Sequence, residues 1–339
     1  MHGKIMGTGR CVPDKVVDND YLSTVMDTSD EWISSRTGIR ERRIATTEST
    51  VSMAAGAARN ALLSAGMGIK DVDMILAATA SPDNFVPGTA CEVQAILNKE
   101  AEEAIRSNPE RCSDTYEACH AVCMDINAAC SGFIYALSVA NAFIQCGQYR
   151  NVLVIGVETL SKIVDWSDRS TCVLFGDGAG AAVIGASEDG IFRQLLHTDG
   201  SMGHVLSCHC RDNNNPVVRN ENKTGYVQMD GQEVFKFAVK RVPECISELL
   251  EQNHIEKKDI AYYLLHQANV KIIKSVAKRL GEEMEKFPVN LDKYGNTSAA
   301  SIPILLDECN RSGMLKKGDK LVLSGFGGGL TWGAVLLEW

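Results

Sequence analysis

No apolar run reaches the roughly 18 residues that a membrane-crossing helix needs, so a spanning segment is excluded. The first residues, MHGKIMGTGRCVPDKVV, lack the continuous apolar stretch of a secretory leader, and no targeting segment is expected. A basic excess is also missing: 34 Lys and Arg face 43 Asp and Glu, a formal net charge of −9. That balance argues against a nucleic-acid binder, which needs positive charge to meet phosphates, and leaves room only for a local basic patch. The chain has 12 cysteines. Without a leader they imply free thiols in a reducing compartment, cytoplasmic by default. Paired C-x2-C spacing is absent from Cys112, Cys119, His120 and Cys123, and from Cys208, His209 and Cys210, so no metal is expected. GDGAGAA at 176–182 has the wrong spacing for a dinucleotide loop, and a strand follows it, so no nicotinamide or flavin is expected.

What is present is an ordinary globular composition, 45% hydrophobic and 23% charged. A chain of 339 residues suggests two domains or two halves. Apolar runs predict strands over 71–80, 121–126, 151–157 and 178–187. Thr89 is a candidate cap for a helix carrying Val93, Ile96 and Leu97. Residues 99–119 are charged, interrupted by Pro109, and read as a surface excursion; 197–228 reads as a second. The helix after Cys130 places Phe133, Leu137, Ala140 and Ile144 on one face and is expected to be buried.

The second half repeats this order. A strand over 259–268 is followed by a helix over 270–280, a short apolar piece KFPVNL, a helix opening in YGNTSAAS, and a strand, glycine loop and strand at the C-terminus. The pattern predicts an internal duplication of two α/β halves, 1–190 and 191–339.

Cys130 follows a strand and opens a helix, where unpaired N–H groups and the helix dipole favour a thiolate. Small neighbours, Ala128, Ala129, Ser131 and Gly132, leave room for a substrate. His266 stands at a strand exit in LLHQAN. Asn296 stands before a helix, at the place Cys130 holds in the first half if the duplication is real. Each alone is equally a small core hydrophobe, a bonded core histidine or a capping asparagine. A papain-like arrangement is rejected, because Ser-Gly-Phe follows the cysteine and the cysteine lies deep in the chain.

The motifs AACSGF, LLHQAN, YGNTSAAS and GFGGGLTWGAVLLEW, with TSDEWISSRTGIRERRI and DRSTCVLFGDGAGAAVI, closely resemble the 3-oxoacyl-[acyl carrier protein] synthase III family of the thiolase superfamily. The resemblance spans nearly the whole chain. It implies an α/β fold, a duplicated five-layer αβαβα sandwich, and a homodimer. It implies an acyltransferase without a cofactor, whose substrates are acyl-CoA and malonyl-acyl carrier protein. Cys130 would carry the acyl group, His266 and Asn296 would stabilise the enolate left by decarboxylation, and the N–H groups of Cys130 and Gly328 would form an oxyanion hole. Trp32, Arg36 and Arg169 would hold the nucleotide of CoA, and Gly231, Asn269 and Phe326 the pantetheine.

Lys271, Lys274, Lys278 and Arg279 read as a solvated face or, by the resemblance, as a dock for the acidic acyl carrier protein. Val86 stands where many relatives carry a phenylalanine that closes the partner's acyl pocket, which implies a roomier pocket. Two other readings stay open: a specialised-metabolism relative with a different acceptor, and an acyl-binding protein without turnover. The intact Cys130, His266 and Asn296 set disfavours the second of these.

Overall fold

A computed structural model describes residues 1–107, 117–220 and 225–339. The excursion residue Cys112 lies outside these. Two mixed sheets form the frame. The first has the order β1 (His2–Cys11), β7 (Gly178–Ser187), β6 (Asn151–Glu158), β4 (Met74–Ala78), β5 (Val122–Ile126). The second has the order β8 (Phe192–Thr198), β13 (Thr331–Glu338), β12 (Lys320–Gly327), β11 (Ile260–Leu265). In each sheet the parallel pairs, β4 with β5 and β6, and β11 with β12, lie beside antiparallel ones. The strands read from apolar runs are all present: β4, β6 and β7 are buried on both faces and need no polar alternation, while β5 is the part-exposed edge of the first sheet.

Five layers result. Helices α3 (Thr50–Ala65) and α4 (Thr89–Ser107) cover the first sheet. Helices α5 (Gly132–Gln145) and α9 (Ser301–Arg311) lie between the sheets, and α6 (Gly231–Gln252) and α7 (Val270–Leu280) cover the second. The middle layer is the driest part: Phe133, Leu137, Ala140 and Ile144 of α5 are fully buried beside Ile302, Leu305 and Leu306 of α9. Smaller elements sit at the site end. These are the ribbons β2 (Val16–Asp18) with β3 (Glu41–Arg43) and β9 (Leu206–Cys208) with β10 (Val227–Met229), and helices α1 (Asn19–Val25), α2 (Asp30–Thr37) and α8 (Leu291–Tyr294).

Four expectations change. The helix begun at Thr89 runs on to Ser107, so the first part of the charged stretch is helical. Charge there suits an exposed helix face, with Arg106 and Glu102 paired at 2.7 Å. Thr89 does not cap α4. Its hydroxyl is buried without a partner, and the Asp125 carboxylate takes the Thr89 and Ala90 N–H groups at 2.7 and 2.9 Å. The 197–228 segment is not a plain excursion, since it holds the end of β8 and the β9–β10 ribbon. KFPVNL forms no strand, so among the described residues the second sheet has no counterpart to β5. Gln267 ties that piece down instead, its side chain bonding Pro288 O and Asn290 N.

Candidate active site

The ends of β4, β6, β11 and β12 open into one cavity of about 1090 Å³. Cys130, His266, Asn296, Phe326 and Gly328 line it together. Two matching turns build its floor. Residues Ala129–Ser131 form a 3-10 turn leading into α5, and Ser298–Ala300 form one leading into α9. Each turn opens on a non-glycine residue in the left-handed region, Ala129 at φ 45° and Ser298 at φ 48°. Each is held by an asparagine two residues earlier: Asn127 Oδ1 accepts the Ala129 N–H at 3.2 Å, and Asn296 Oδ1 accepts the Ser298 N–H at 2.8 Å.

This register corrects the expected equivalence. Asn296 matches Asn127, and Cys130 matches Ala299. The bond to Ser298 also fixes the amide of Asn296, leaving its Nδ2 donor for the cavity. The backbone of Asn296 is clamped by the first half, its N–H on Leu174 O and its carbonyl on Gly176 N–H.

His266 follows β11, and its N–H donates to Ser324 O of β12. Its Nδ1 lies 2.7 Å from Ser301 Oγ, and the Gln267 N–H donates to that same oxygen. Ser301 can donate to Nδ1, an arrangement that would put the ring proton on Nε2. Burial pulls the ring down to about 3, so the imidazole is neutral. Phe326 packs edge-on against it.

The expected thiolate is not the resting state. Burial pushes the Cys130 thiol up to about 12, outweighing the bonds from Ser298 and its own backbone, and the charge of Glu158 adds to the rise. The glycine loop abuts the cysteine: a Cβ on Gly327 would sit 2.5 Å from Cys130 N, so only glycine lets β12 approach this turn.

Other expected residues fall around the mouth. Arg36 and Arg169 stack on Trp32 at 4.6 and 5.4 Å from the ring centroid, and Arg169 also bonds Asp27. Asn269 lines the cavity but spends its side chain capping α7 at Lys271 N and holding Arg36 O. Gly231 lines the cavity at the start of α6. Lys271, Lys274, Lys278 and Arg279 are exposed on α7, which starts at the mouth. Val86 is 87% exposed and outside this chain's cavity, while its neighbour Phe85 lines the cavity. Among the described residues no cluster of three His, Cys, Asp or Glu could hold a metal, and no helix is long and apolar enough to cross a membrane.

Two residues escape a reading based on known site motifs. Glu158 ends the apolar strand β6 with no exposed surface, and Ser298 joins it to the Cys130 turn. The signal in the sequence is an acid closing the otherwise apolar NVLVIGVE.

Residues 124–200 match the family model of 3-oxoacyl-[acyl-carrier-protein] synthase III, and residues 250–339 match the model of its C-terminal part. The beta-ketoacyl-[acyl-carrier-protein] synthase III of Clostridium novyi is 48% identical over 99% of this chain and 98% of its own. That of Clostridium acetobutylicum is 46% identical over the same shares. The crystal structure of the Aquifex aeolicus 3-oxoacyl-[acyl-carrier-protein] synthase III superposes with a TM-score of 0.88 at 45% identity, covering 99% of this chain and all of that one. The Thermus thermophilus structure gives 0.88 at 39%, covering 99% and 98%. With two facing turns, a shared cavity and likeness over its whole length, this chain belongs to the beta-ketoacyl-[acyl-carrier-protein] synthase III family.

Proposed function

We propose that the chain joins an acyl group from acyl-CoA to malonyl-acyl carrier protein by decarboxylative Claisen condensation. The products are 3-oxoacyl-acyl carrier protein, CoA and carbon dioxide, and the step opens fatty-acid synthesis. The convergence of Cys130, His266 and Asn296 on one cavity floor carries this reading. Cys130 attacks the thioester, and the N–H groups of Cys130 and Gly328 hold the oxyanion. His266 Nε2–H and the Asn296 amide then donate to the malonyl thioester oxygen as carbon dioxide leaves. Both are neutral donors, so neither quenches the enolate with a ready proton. The chemistry needs no cofactor.

Trp32, Arg36 and Arg169 take the CoA nucleotide, and Gly231, Asn269 and Phe326 line the path of its pantetheine. The cationic face of α7 receives the acyl carrier protein beside the cavity mouth. The exposed edge of β5, with Val122 43% and Met124 37% exposed, pairs with a second copy of the chain. In that homodimer Val86 faces the partner's acyl pocket and widens its choice of primer. The chain divides into halves at 190/191, and its 11 described cysteines, all unpaired, suit the cytoplasm. Relatives at 46–48% identity bear the synthase III name, and nothing in the site favours a different acceptor.

Cys130→Ala, incubated with acyl-CoA, is expected to gain no acyl mass and to make no condensation product. Retained condensation overturns the assignment.

A further inference from the structure

Ser301 closes the motif YGNTSAAS and is the first residue of α9, and the chemistry proposed for the cavity gives it no task. In the first half Gly132 holds the same place. It is the first residue of α5 and stands three residues after the left-handed Ala129, as Ser301 stands three after Ser298. A glycine serves there, so the turn itself does not call for a hydroxyl. Ser301 and His266 are both buried. A buried hydroxyl costs stability unless it is bonded, and this one lies 2.7 Å from His266 Nδ1.

The bonds around Ser301 Oγ decide which atom donates. The Gln267 N–H lies 3.4 Å from Oγ and can only donate, so it takes one lone pair. Among the described residues, Nδ1 is the one acceptor within reach of the hydroxyl hydrogen. With that hydrogen on Nδ1, the ring proton sits on Nε2 and every group is paired. With the ring proton on Nδ1 instead, Oγ receives two N–H groups and its own hydrogen is buried without an acceptor, the costlier arrangement. Nε2 bonds no described residue, and the ring lines the cavity.

We infer that Ser301 is a positioning residue for decarboxylation: its hydroxyl donates to His266 Nδ1, holds the ring in the Nε2–H form and aims that N–H at the malonyl thioester oxygen. The inference rests on the proposed role of His266 as a donor to that oxygen. Ser301 itself meets no substrate and moves no proton. Without its hydroxyl both ring forms are open, and in one of them Nε2 offers a lone pair where the enolate needs a donor. One short segment thus sets both donors, since the Ser298 N–H fixes the Asn296 amide at 2.8 Å and Ser301 fixes the ring.

The test compares Ser301→Ala and Ser301→Thr with wild type, using enzyme whose histidine rings carry nitrogen-15. The His266 signals, among those of seven histidines, are identified by their loss in His266→Ala. Wild type is expected to show His266 in the Nε2–H form alone. Ser301→Ala should show the Nδ1–H form as well. Its uncoupled decarboxylation of malonyl-acyl carrier protein should lose about tenfold in kcat at unchanged KM, less than the roughly 10²–10³-fold that losing such a donor outright costs. Acyl-enzyme formation from acyl-CoA should fall much less. Ser301→Thr keeps the hydroxyl and should restore the Nε2–H form and most of the rate. An Nδ1–H ring in wild type, a Ser301→Ala enzyme with the wild-type ring form and rate, or an equal fall in decarboxylation and acylation overturns the inference. A His266→Ala enzyme that decarboxylates at the wild-type rate would instead overturn the role of His266 on which it rests.

Discussion

The two halves approach closely where β12 meets the cysteine turn, and that contact is open to a one-atom perturbation. In Gly327→Ala the new Cβ would lie 2.5 Å from Cys130 N, 3.1 Å from Ser131 N and 3.2 Å from the Ala129 Cβ. Ordinary contact begins near 3.4 Å, so the turn must retreat by about 0.9 Å, and it is backbone that must move. A displacement near 1 Å of a reacting group costs about 10²-fold, and loss of an oxyanion donor costs about 10²–10³-fold. Overpacking adds about 1–3 kcal/mol of destabilisation. The assay is the initial rate of acyl-enzyme formation by intact mass, with unfolding midpoints measured alongside. Gly200→Ala is the control, because a Cβ there meets nothing within 4 Å. Acylation of a folded Gly327→Ala enzyme at the wild-type rate would refute the claim that this contact positions the nucleophile.

The mirror substitution should divide the two half-reactions. In Gly156→Ala the Cβ would lie 2.2 Å from Ala299 O, so the turn beside Asn296 moves, and malonyl decarboxylation should suffer more than acylation. A reversed order in that comparison counts against the assignment of roles. Glu158 also predicts a stability profile. Its folded value of about 7 exceeds 4.5, so the folded state keeps the proton that the unfolded chain releases, and stability declines as pH rises from 4.5 to about 7. The fall is about 3 kcal/mol, and Glu158→Gln, compared with wild type by urea unfolding, should lack it. Asp125→Ala removes both caps of α4 and should cost about 1–2 kcal/mol, with faster amide exchange at Ala90; unchanged exchange would exclude that role. Lys271→Glu with Lys278→Glu should raise KM for malonyl-acyl carrier protein but not for acyl-CoA, and the effect should shrink with salt. A salt-independent effect, or none, would remove α7 as the dock.

Much of the frame is legible because it is apolar. The strands β4, β6, β7, β11, β12 and β13 are runs that must be buried on both faces, and α7 shows a clean periodic face ending at Gly281. Other elements give weak signals. Strand β1 mixes glycine with polar residues, and α6 carries charges on one face and Pro243 within it, so tertiary packing decides them. Cys130 and His266 stand out because each sits where an apolar strand gives way to smaller or polar residues, and Asn296 because small residues follow it into α9. The pairing of Asn296 with Asn127 is not legible, since it depends on which residue enters the left-handed region, and Ala129 and Ser298 carry no sequence mark of that. Nor is Glu158 as a site residue, because an acid after a strand ordinarily faces water.

The interlocked turns also set when the enzyme can exist at all during its synthesis. Cys130 is made early, but the Asn296 clamp, His266 and the Gly327 abutment all come from the last third of the chain. Until β12 is in place, Cys130 lacks the Gly327 abutment and Gly328, the partner proposed for its oxyanion hole. On the proposed role of Cys130, a ribosome-bound chain is therefore expected not to draw on the acyl-CoA pool until translation is nearly over. Stalled chains ending before residue 320 should accordingly take up no acyl group at Cys130; uptake by such chains would show that the first half alone makes the nucleophile.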